Sequence, residues 1–400
     1  MLTSLALIFL VGLSLAVIFG KLKLPRLIGM LLTGILLGPF VLDFLDPQIL
    51  GISAELRKMA LVIILIKAGL SLNFSDLKKV GRPALLMAFL PATFEIGAFL
   101  LFAPMLLNVS RVEALLMGSV LAAVSPAVVV PRMVALMDEG RGTDKKIPQL
   151  ILAGASLDDI FVIVLFTAFL GINMGDGVGA MTFLNIPISI VLGIALGAFV
   201  GFVVAYLLEL FHRKGLTIRN TLKTILLLAT SFLLLAIEGW LEGVIAVSGL
   251  LAIMSMGIVI KQKYDGLAWR LSAKYNKLWL GAEVFLFVLV GVAVDVRYAL
   301  SAGIAVVLLV VIALVFRMLG VFLSLIGTKL TKKERLFCMM AYTPKATVQA
   351  AIGTIPLAMG LECGNLVLTV AVVSILLTAP FGAICVDKSY KKLLKHSSHT

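Results

Sequence analysis

Residues 125–131 read Ser-Pro-Ala-Val-Val-Val-Pro, and residues 343–349 read Thr-Pro-Lys-Ala-Thr-Val-Gln. The two stretches lie inside long apolar segments, at residues 112–137 and 334–359. A proline inside a helix removes a backbone hydrogen bond, and in a membrane helix one such kink is often tolerated. Two kinks at corresponding positions of the chain predict a pair of broken helices around a binding site. The residues predicted to line this site are Ser125, Pro126, Thr343 and Pro344.

The two broken segments belong to an internal repeat with an offset of about 222 residues. Residues 67–73 (KAGLSLN) resemble residues 289–295 (LVGVAVD), and Glu95 falls on Arg317 at the same offset. Seven helices, an odd number, separate equivalent segments, so the two six-helix halves are predicted to have inverted topology. Inverted repeats are the architecture of many secondary transporters.

Composition places the chain in a membrane. Hydrophobic residues make up 61% of the sequence and charged residues 14%, more apolar surface than one soluble core could bury. Apolar stretches of about 20 residues predict membrane-spanning helices. The thirteen predicted spans are residues 2–19, 25–42, 56–72, 83–107, 112–137, 147–171, 183–209, 219–237, 244–260, 278–296, 301–326, 334–359 and 365–386. The expected fold is therefore an all-α polytopic membrane protein with two inverted six-helix repeats and paired broken helices.

The distribution of basic residues predicts the orientation. Of 34 Lys and Arg residues, 27 fall on one side, in alternate connections and the C-terminal tail, and four fall on the opposite side. Cytoplasmic loops collect Lys and Arg, so the N-terminus is predicted outside and the C-terminus inside a cell (inner or plasma) membrane. The first apolar segment has no preceding Lys or Arg and no small-residue cleavage site, which predicts a retained helix.

Neither nucleic acid nor a cofactor is expected. The net charge of +13 follows from the one-sided loops, so it does not indicate a nucleic-acid partner. The three cysteines are isolated, and the three histidines lie in a loop and the tail, without metal-ligand spacing. The polar stretches at residues 138–148 and 261–277 are predicted to be short basic loops.

Span 7, which joins the two halves, carries Gly193, Gly197 and Gly201 at four-residue spacing. Such spacing gives a flat helix face, and it predicts close packing against another helix.

Six ionisable residues interrupt the apolar segments, although each costs about 3 kcal/mol at a helix centre on the insertion scale. They are Lys67, Glu95, Asp158, Asp159, Arg317 and Lys345. Intramembrane charges usually mark ion or proton paths.

Asp158 and Asp159 lie midway along the apolar run of residues 151–169. Neighbouring side chains on a helix point about 100° apart, so one carboxylate can face a cavity while the other faces an adjoining helix. A carboxylate can hold a proton or coordinate a hard cation, and the two compete for one negative charge. Competition at one site is the chemistry of antiport; a buried structural pair is the alternative.

The other intramembrane charges predict electrostatic support. Glu95 and Arg317 have opposite charge at equivalent positions, which predicts an ion pair across the pseudo-two-fold axis. Lys345 lies in the second break, where a cation would stabilise exposed carbonyl ends. Lys67 lies near the end of its span, from which its side chain can reach water, and no transport role is predicted for it.

Together, the tandem acids in residues 155–159 (ASLDD) and the two proline motifs resemble the monovalent cation/proton antiporter superfamily. Within it the chain is similar, over essentially its whole length, to the NHA branch of sodium/proton exchangers, as a bacterial relative. The resemblance implies that Asp159 binds Na⁺ or Li⁺ in competition with H⁺, and that Asp158 is its partner.

The resemblance also implies a homodimer in membrane lipid and elevator-type alternating access. The implied scaffold and dimerisation parts are residues 1–82 and 216–300, and the implied core transport parts are residues 83–172 and 301–386. Residues 173–215 are the linker helix, and residues 387–400 are a basic cytoplasmic tail.

In electrogenic relatives a lysine at the Arg317 position is thought to exchange protons with the first acid of the tandem. An arginine does not readily release its proton, and Glu95 offers it a permanent partner. This departure predicts one proton per cation, an electroneutral cycle.

Three other functions are compatible with the sequence. The first is a K⁺/H⁺ antiporter, because cation choice depends on cavity size. The second is a sodium-coupled carrier for an organic anion, which the same architecture could support. The third is a non-transporting membrane sensor or assembly subunit, in which the midplane acids would be structural.

Overall fold

The computed structural model describes residues 1–72, 81–174, 180–213, 218–241, 245 and 247–396, without the side chains of residues 180–186, 212–213 and 298–302. Asn73, at the end of the repeat run, and tail residues 397–400 lie outside these ranges. The described residues form seventeen helices: α1 Leu2–Lys21, α2 Arg26–Leu37, α3 Pro47–Gly51, α4 Ser53–Ser71, α5 Arg82–Leu107, α6 Arg111–Leu121, α7 Pro126–Asp138, α8 Ile147–Met174, α9 Ala180–Arg213, α10 Asn220–Leu241, α11 Gly249–Lys263, α12 Asp265–Val292, α13 Val296–Ser324, α14 Lys332–Ala341, α15 Thr347–Ile352, α16 Ile355–Ala358 and α17 Gly364–Leu393.

The helices follow the predicted apolar segments. Each of the thirteen segments coincides with one helix or with a broken set of helices. Within the described ranges, nine helical stretches are long and apolar enough to cross a membrane. The all-helical polytopic fold is therefore confirmed, while the count of thirteen spans stays a prediction.

The prediction of a loop at residues 261–277 was wrong. Helix α12 begins at Asp265 and runs for 28 residues, so the polar stretch is the first half of a long helix. Its basic residues Arg270, Lys274 and Lys277 recur at helical spacing and belong to a polar face. A helix can continue beyond the apolar region, and hydropathy alone does not show where it begins.

The C-terminal end is more ordered than a free tail. Helix α17 continues to Leu393, and Leu394 is buried in a core cluster with Ile147 and Phe337. The backbone N–H of Gly142 donates to the carbonyl of Lys395 at 2.9 Å. Leu394 and Lys395 thus pack against the segment that precedes α8.

Equivalent helix crossings show the repeat in three dimensions. A Cβ on Gly291 of α12 would lie 3.1 Å from the Cα of Gly34 on α2. A Cβ on Gly257 of α11 would likewise lie 3.0 Å from the Cα of Gly69 on α4. Gly69 and Gly291 are equivalent in the repeat, so the same glycine-to-glycine crossing between the two halves occurs twice.

The chain divides into two compact units. Unit 1 contains Met1–Ala54, Phe74–Phe169 and Leu286–Thr400, and unit 2 contains Glu55–Asn73 and Leu170–Phe285. In unit 1, α5 packs along α13 and α6, and α14 packs against α17. The scaffold and core boundaries predicted above stay a prediction.

In unit 2, α9 packs along α11 through its glycine face. A Cβ on Gly197 would lie 2.0 Å from the carbonyl oxygen of Ala252, and Gly193 and Gly201 meet Ser248 and Met256 in the same way. The predicted packing role of this face is confirmed.

Candidate functional site

Asp158 and Asp159 lie on α8 in unit 1. Asp158 is 0% exposed and Asp159 is 8% exposed, so Asp159 is the more accessible of the pair. Oδ2 of Asp158 accepts from Nη2 of Arg317 and from the backbone N–H of Val124, both at 2.8 Å. The Oδ1 atoms of both acids are buried and have no hydrogen-bond partner within the described part of the chain. Two carboxylate oxygens are therefore left with unused lone pairs.

Arg317, on α13, is the centre of the charge cluster. Its Nη1 donates to Oε2 of Glu95 at 2.8 Å and its Nη2 to Asp158, so one guanidinium joins both acids. The predicted pairing of Glu95 with Arg317 is thus present, and the contact with Asp158 is additional. The guanidinium also stacks on the ring of Tyr342, 5.4 Å from the ring centroid.

Arg317 also binds the ends of both broken helices. Its Nε donates to the carbonyl of Tyr342, just after the end of α14, at 2.7 Å. Its Nη1 donates to the carbonyl of Ala122, just after the end of α6. Carbonyl groups at a helix C-terminus carry partial negative charge and lack intrahelical partners. One buried cation therefore caps both half-helices.

Lys345 makes a different electrostatic contact from the one predicted. Its ammonium was expected to stabilise carbonyl ends, but Nζ donates to Oε2 of Glu95 at 2.6 Å. The carbonyl ends are instead bound by Arg317 and by Gln349, whose Nε2 donates to Leu121 at 3.1 Å and to Ala123 at 2.8 Å. Lys345 is 1% exposed, so at this depth an acid is the stronger partner for its charge.

The two breaks are joined to each other. Helix α6 ends at Leu121 and α7 begins at Pro126; α14 ends at Ala341 and α15 begins at Thr347. The backbone N–H of Ser125 donates to the carbonyl of Pro344 at 2.8 Å. This bond joins the Ser-Pro motif of the first half to the Thr-Pro motif of the second.

The predicted lining residues are used in different ways. Ser125 is fully buried, and its Oγ has no hydrogen-bond partner among the described residues. The Thr343 hydroxyl donates to the carbonyl of Met340 at 2.8 Å. Pro126 is the first residue of α7, and Pro344 supplies the carbonyl that binds Ser125.

Sequence reasoning missed three residues. Gln349 bridges the breaks, and the Thr378 hydroxyl accepts from the backbone N–H of Lys345 at 2.9 Å. Tyr342 is fully buried, and its hydroxyl has no partner in the part of the chain that the structure describes. That hydroxyl lies against α8 at Gly154, where a Cβ would be 2.1 Å away. The motif at residues 343–349 contains Gln349, but the sequence alone does not show which groups its side-chain amide would bind.

The five ionisable side chains of the cluster have a formal net charge of −1 when all are ionised. Glu95, Asp158 and Asp159 contribute three negative charges, and Arg317 and Lys345 contribute two positive ones. Every ion pair in the cluster involves Glu95 or Asp158, so the uncompensated charge belongs to the Asp158 and Asp159 pair. One proton or one monovalent cation would neutralise the cluster.

Lys67 lies in unit 2 and takes no part in this cluster. Its side chain is half-buried, with Nζ 5.8 Å from the ring centroid of Trp279. A cation over an indole ring is stabilised electrostatically, so the ammonium has a partner within the protein.

Comparison with known proteins identifies relatives over nearly the whole chain. Residues 5–387 match the family model described as "Sodium/hydrogen exchanger, transmembrane". Sodium/hydrogen exchanger 9B2 of Mus musculus is 32% identical, with 96% of this chain and 72% of the relative covered. Sodium/hydrogen exchanger 9B1 of Homo sapiens is 33% identical, with 93% and 73% covered.

A solved structure shares the fold. The sodium proton antiporter MjNhaP1 from Methanocaldococcus jannaschii at pH 8 superposes with a TM-score of 0.82 at 22% identity, over 98% of each chain. At that identity the likeness shows the architecture, and the roles of single residues depend on the geometry above.

Proposed function

Because this chain belongs to the transmembrane sodium/hydrogen exchanger family, we propose that it exchanges Na⁺ or Li⁺ for H⁺ across a membrane. Family membership supports cation/proton antiport in a multi-pass membrane protein. The choice of cation, the site and the mechanism are proposed from the charge cluster of unit 1.

The observation that carries the proposal is the single uncompensated charge at the acid pair. Asp159 has no ion-pair partner among the described residues, and its Oδ1 and that of Asp158 are free to accept. A small monovalent cation prefers such hard oxygen ligands, and a proton would occupy the same lone pairs. We assign cation and proton binding to Asp159, with Asp158 as its partner.

The buried Ser125 hydroxyl supports this assignment. Like that of Thr347, its oxygen has no hydrogen-bond partner among the residues that the structure describes, and both residues lie at the start of a half-helix next to a break. Backbone oxygens in the unwound segments of broken helices coordinate cations in transporters of this architecture, and we propose that these hydroxyl oxygens add to them. The binding site would combine carboxylate and hydroxyl oxygens.

The fixed partners of the other charges support an electroneutral cycle. Four donor contacts hold Arg317 in place, and an arginine does not release its proton in this range. Glu95 binds both Arg317 and Lys345, and an ion pair with a carboxylate favours the protonated form of each cation. The acid pair alone exchanges its bound ion, one H⁺ for one cation, so no net charge crosses the membrane in a cycle.

Alternating access would proceed by an elevator-type movement. The bond between Ser125 and Pro344, together with the contacts of Arg317 and Gln349, ties both broken helices and α8 into one body. Such a body can move with its bound ion as a unit. We propose that residues 83–172 and 301–386 move against a scaffold of residues 1–82 and 216–300.

The proposal includes the setting of the protein. We propose a homodimer in a cell (inner or plasma) membrane, with the N-terminus outside and the C-terminus in the cytoplasm, as the one-sided basic loops favour.

The experiment is cation-driven proton movement in proteoliposomes that contain the purified protein and an internal pH dye. Na⁺ or Li⁺ added outside is expected to change the internal pH, at a rate unaffected by a potassium diffusion potential. A response to K⁺ equal to that for Na⁺ would replace the proposal with K⁺/H⁺ antiport. If none of the three cations changes the internal pH, antiport is refuted. A current that scales with the membrane potential would refute electroneutrality.

A further inference from the structure

A separate pocket of about 290 Å³ lies in unit 1 at the ends of three helices. Pro83 is the second residue of α5, Lys146 immediately precedes α8, and Lys329 lies in the connection from α13 to α14. Leu150, also in the wall, precedes Asp158 on α8 by eight residues, or about 12 Å of helix rise. The pocket is therefore distinct from the acid pair.

The pocket is lined by three lysines and one acid, Asp144. Nζ of Lys145 donates to Oε2 of Glu334 at 2.8 Å and to the carbonyl of Lys329 at 2.9 Å, which fixes it as part of the wall. Lys146 and Lys329 are exposed, and their ammonium groups form no ion pair with any described residue. Two exposed cations are thus available to a ligand at the mouth of the pocket.

Two helix N-termini add to the positive potential. Helices of 26 and 28 residues, α5 and α8, both begin at this pocket. The N-terminus of a long helix carries about half a positive charge and favours anions. An anion would meet the lysines and both helix ends.

The rest of the wall is apolar. Pro83, Leu150 and Leu330 line it, and α5 and α8 are apolar enough to cross a membrane. The pocket therefore lies where apolar helices end and basic connections begin. A ligand that fits has an anionic group at that boundary and a hydrocarbon part beside it.

We propose that this pocket binds the phosphate headgroup of an anionic membrane phospholipid. Basic pockets between transmembrane helices on the Lys- and Arg-rich side hold such headgroups. Lys146 and Lys329 would pair with the phosphate oxygens, and the acyl chains would lie along α5 and α8. The bound lipid would join the beginning of α8, the helix of the acid pair, to the connection between α13 and α14.

The test is lipid titration of the purified full-length protein, followed by native mass spectrometry and by thermal unfolding in detergent. Phosphatidylglycerol is the probe, with phosphatidylcholine and inorganic phosphate as comparison ligands. The variant is K146Q/K329Q. Its control, K388Q/K392Q, removes two exposed lysines of α17 and changes the net charge equally.

Phosphatidylglycerol is expected to bind and to raise the unfolding temperature. In K146Q/K329Q the half-saturating concentration should increase at least about tenfold, because two charge-assisted contacts are lost. In the control it should stay within about twofold, because its lysines lie outside the pocket. Equal binding by K146Q/K329Q and wild type, or equal stabilisation by phosphatidylcholine, would overturn the proposal. Stabilisation by millimolar inorganic phosphate alone would also overturn it, since the anion would then come from solution.

Discussion

Gly154 lies one helical turn before Asp158, at the point where α8 meets Tyr342. A Cβ at this position would lie 2.1 Å from Oη of Tyr342, 3.0 Å from Cβ of Met87 and 3.3 Å from Cζ of Tyr342. Real contacts of this kind are not shorter than 3.0 Å. In Gly154→Ala the phenol must therefore recede by about 1 Å.

The movement of Tyr342 would reach the charge cluster. Its carbonyl accepts from Nε of Arg317 at 2.7 Å, and its ring supports the guanidinium. Overpacking of this kind costs about 1–3 kcal/mol, and replacing Gly by Ala in a helix returns up to about 1 kcal/mol. We expect Gly154→Ala to lower the free energy of unfolding by about 1–2 kcal/mol and to slow cation-driven proton movement.

A second substitution separates this cause from a general loss of fold. Tyr342→Phe deletes the oxygen at 2.1 Å, and because that hydroxyl has no hydrogen-bond partner in the described part of the chain, the deletion costs little. The double variant Gly154→Ala, Tyr342→Phe should recover both stability and exchange. The matched control is Gly97→Ala on α5, where a Cβ would meet nothing within 4 Å.

Unfolding temperature in detergent and proton movement in proteoliposomes measure the two effects. If Gly154→Ala behaves like Gly97→Ala, or if Tyr342→Phe fails to rescue it, the described contact between Tyr342 and α8 does not exist.

Three further substitutions test the cluster. Asp159→Asn should abolish exchange without lowering the unfolding temperature, because it removes an uncompensated buried charge. The control is Asp265→Asn, which changes an exposed acid and should leave exchange at the wild-type rate. Glu95→Ala leaves Arg317 and Lys345 without their shared partner, so the free energy of unfolding should fall by about 3–5 kcal/mol. The rate of exchange, measured at a clamped voltage, should also become sensitive to the membrane potential. Unchanged stability and an unchanged exchange rate would contradict this prediction. Arg317→Lys keeps the charge but cannot keep four contacts. The free energy of unfolding, measured by thermal unfolding, should therefore fall by about 1–3 kcal/mol. A variant as stable as wild type would show that the carbonyl contacts contribute nothing to stability.

Sequence could predict the parts of the site that follow from periodicity and symmetry. The acid pair interrupts an apolar run near its middle, and this places it near the middle of α8. The offset of the repeat places Glu95 opposite Arg317, and their opposite charges specify the pair. The paired prolines predict both breaks, because a missing backbone bond is visible in the letters.

The rest depends on distances that letters do not contain. Lys345 could have met carbonyl ends or an acid, and only the fold brings it to Glu95. The Gln349 amide binds carbonyls more than 220 residues away in the chain. The beginning of α12 was missed because hydropathy reports where a helix is apolar and does not report where it begins.

The central claim is that one uncompensated negative charge at Asp158 and Asp159 holds either a proton or a metal cation. Its most direct test is proton release when Na⁺ binds to purified protein in weak buffer. Up to about one proton should leave per Na⁺ bound, and wherever the acid is protonated, the Na⁺ affinity should fall about tenfold for each unit of falling pH. Asp159→Asn should abolish both effects. Tight Na⁺ binding that releases no proton and does not vary with pH would contradict the account.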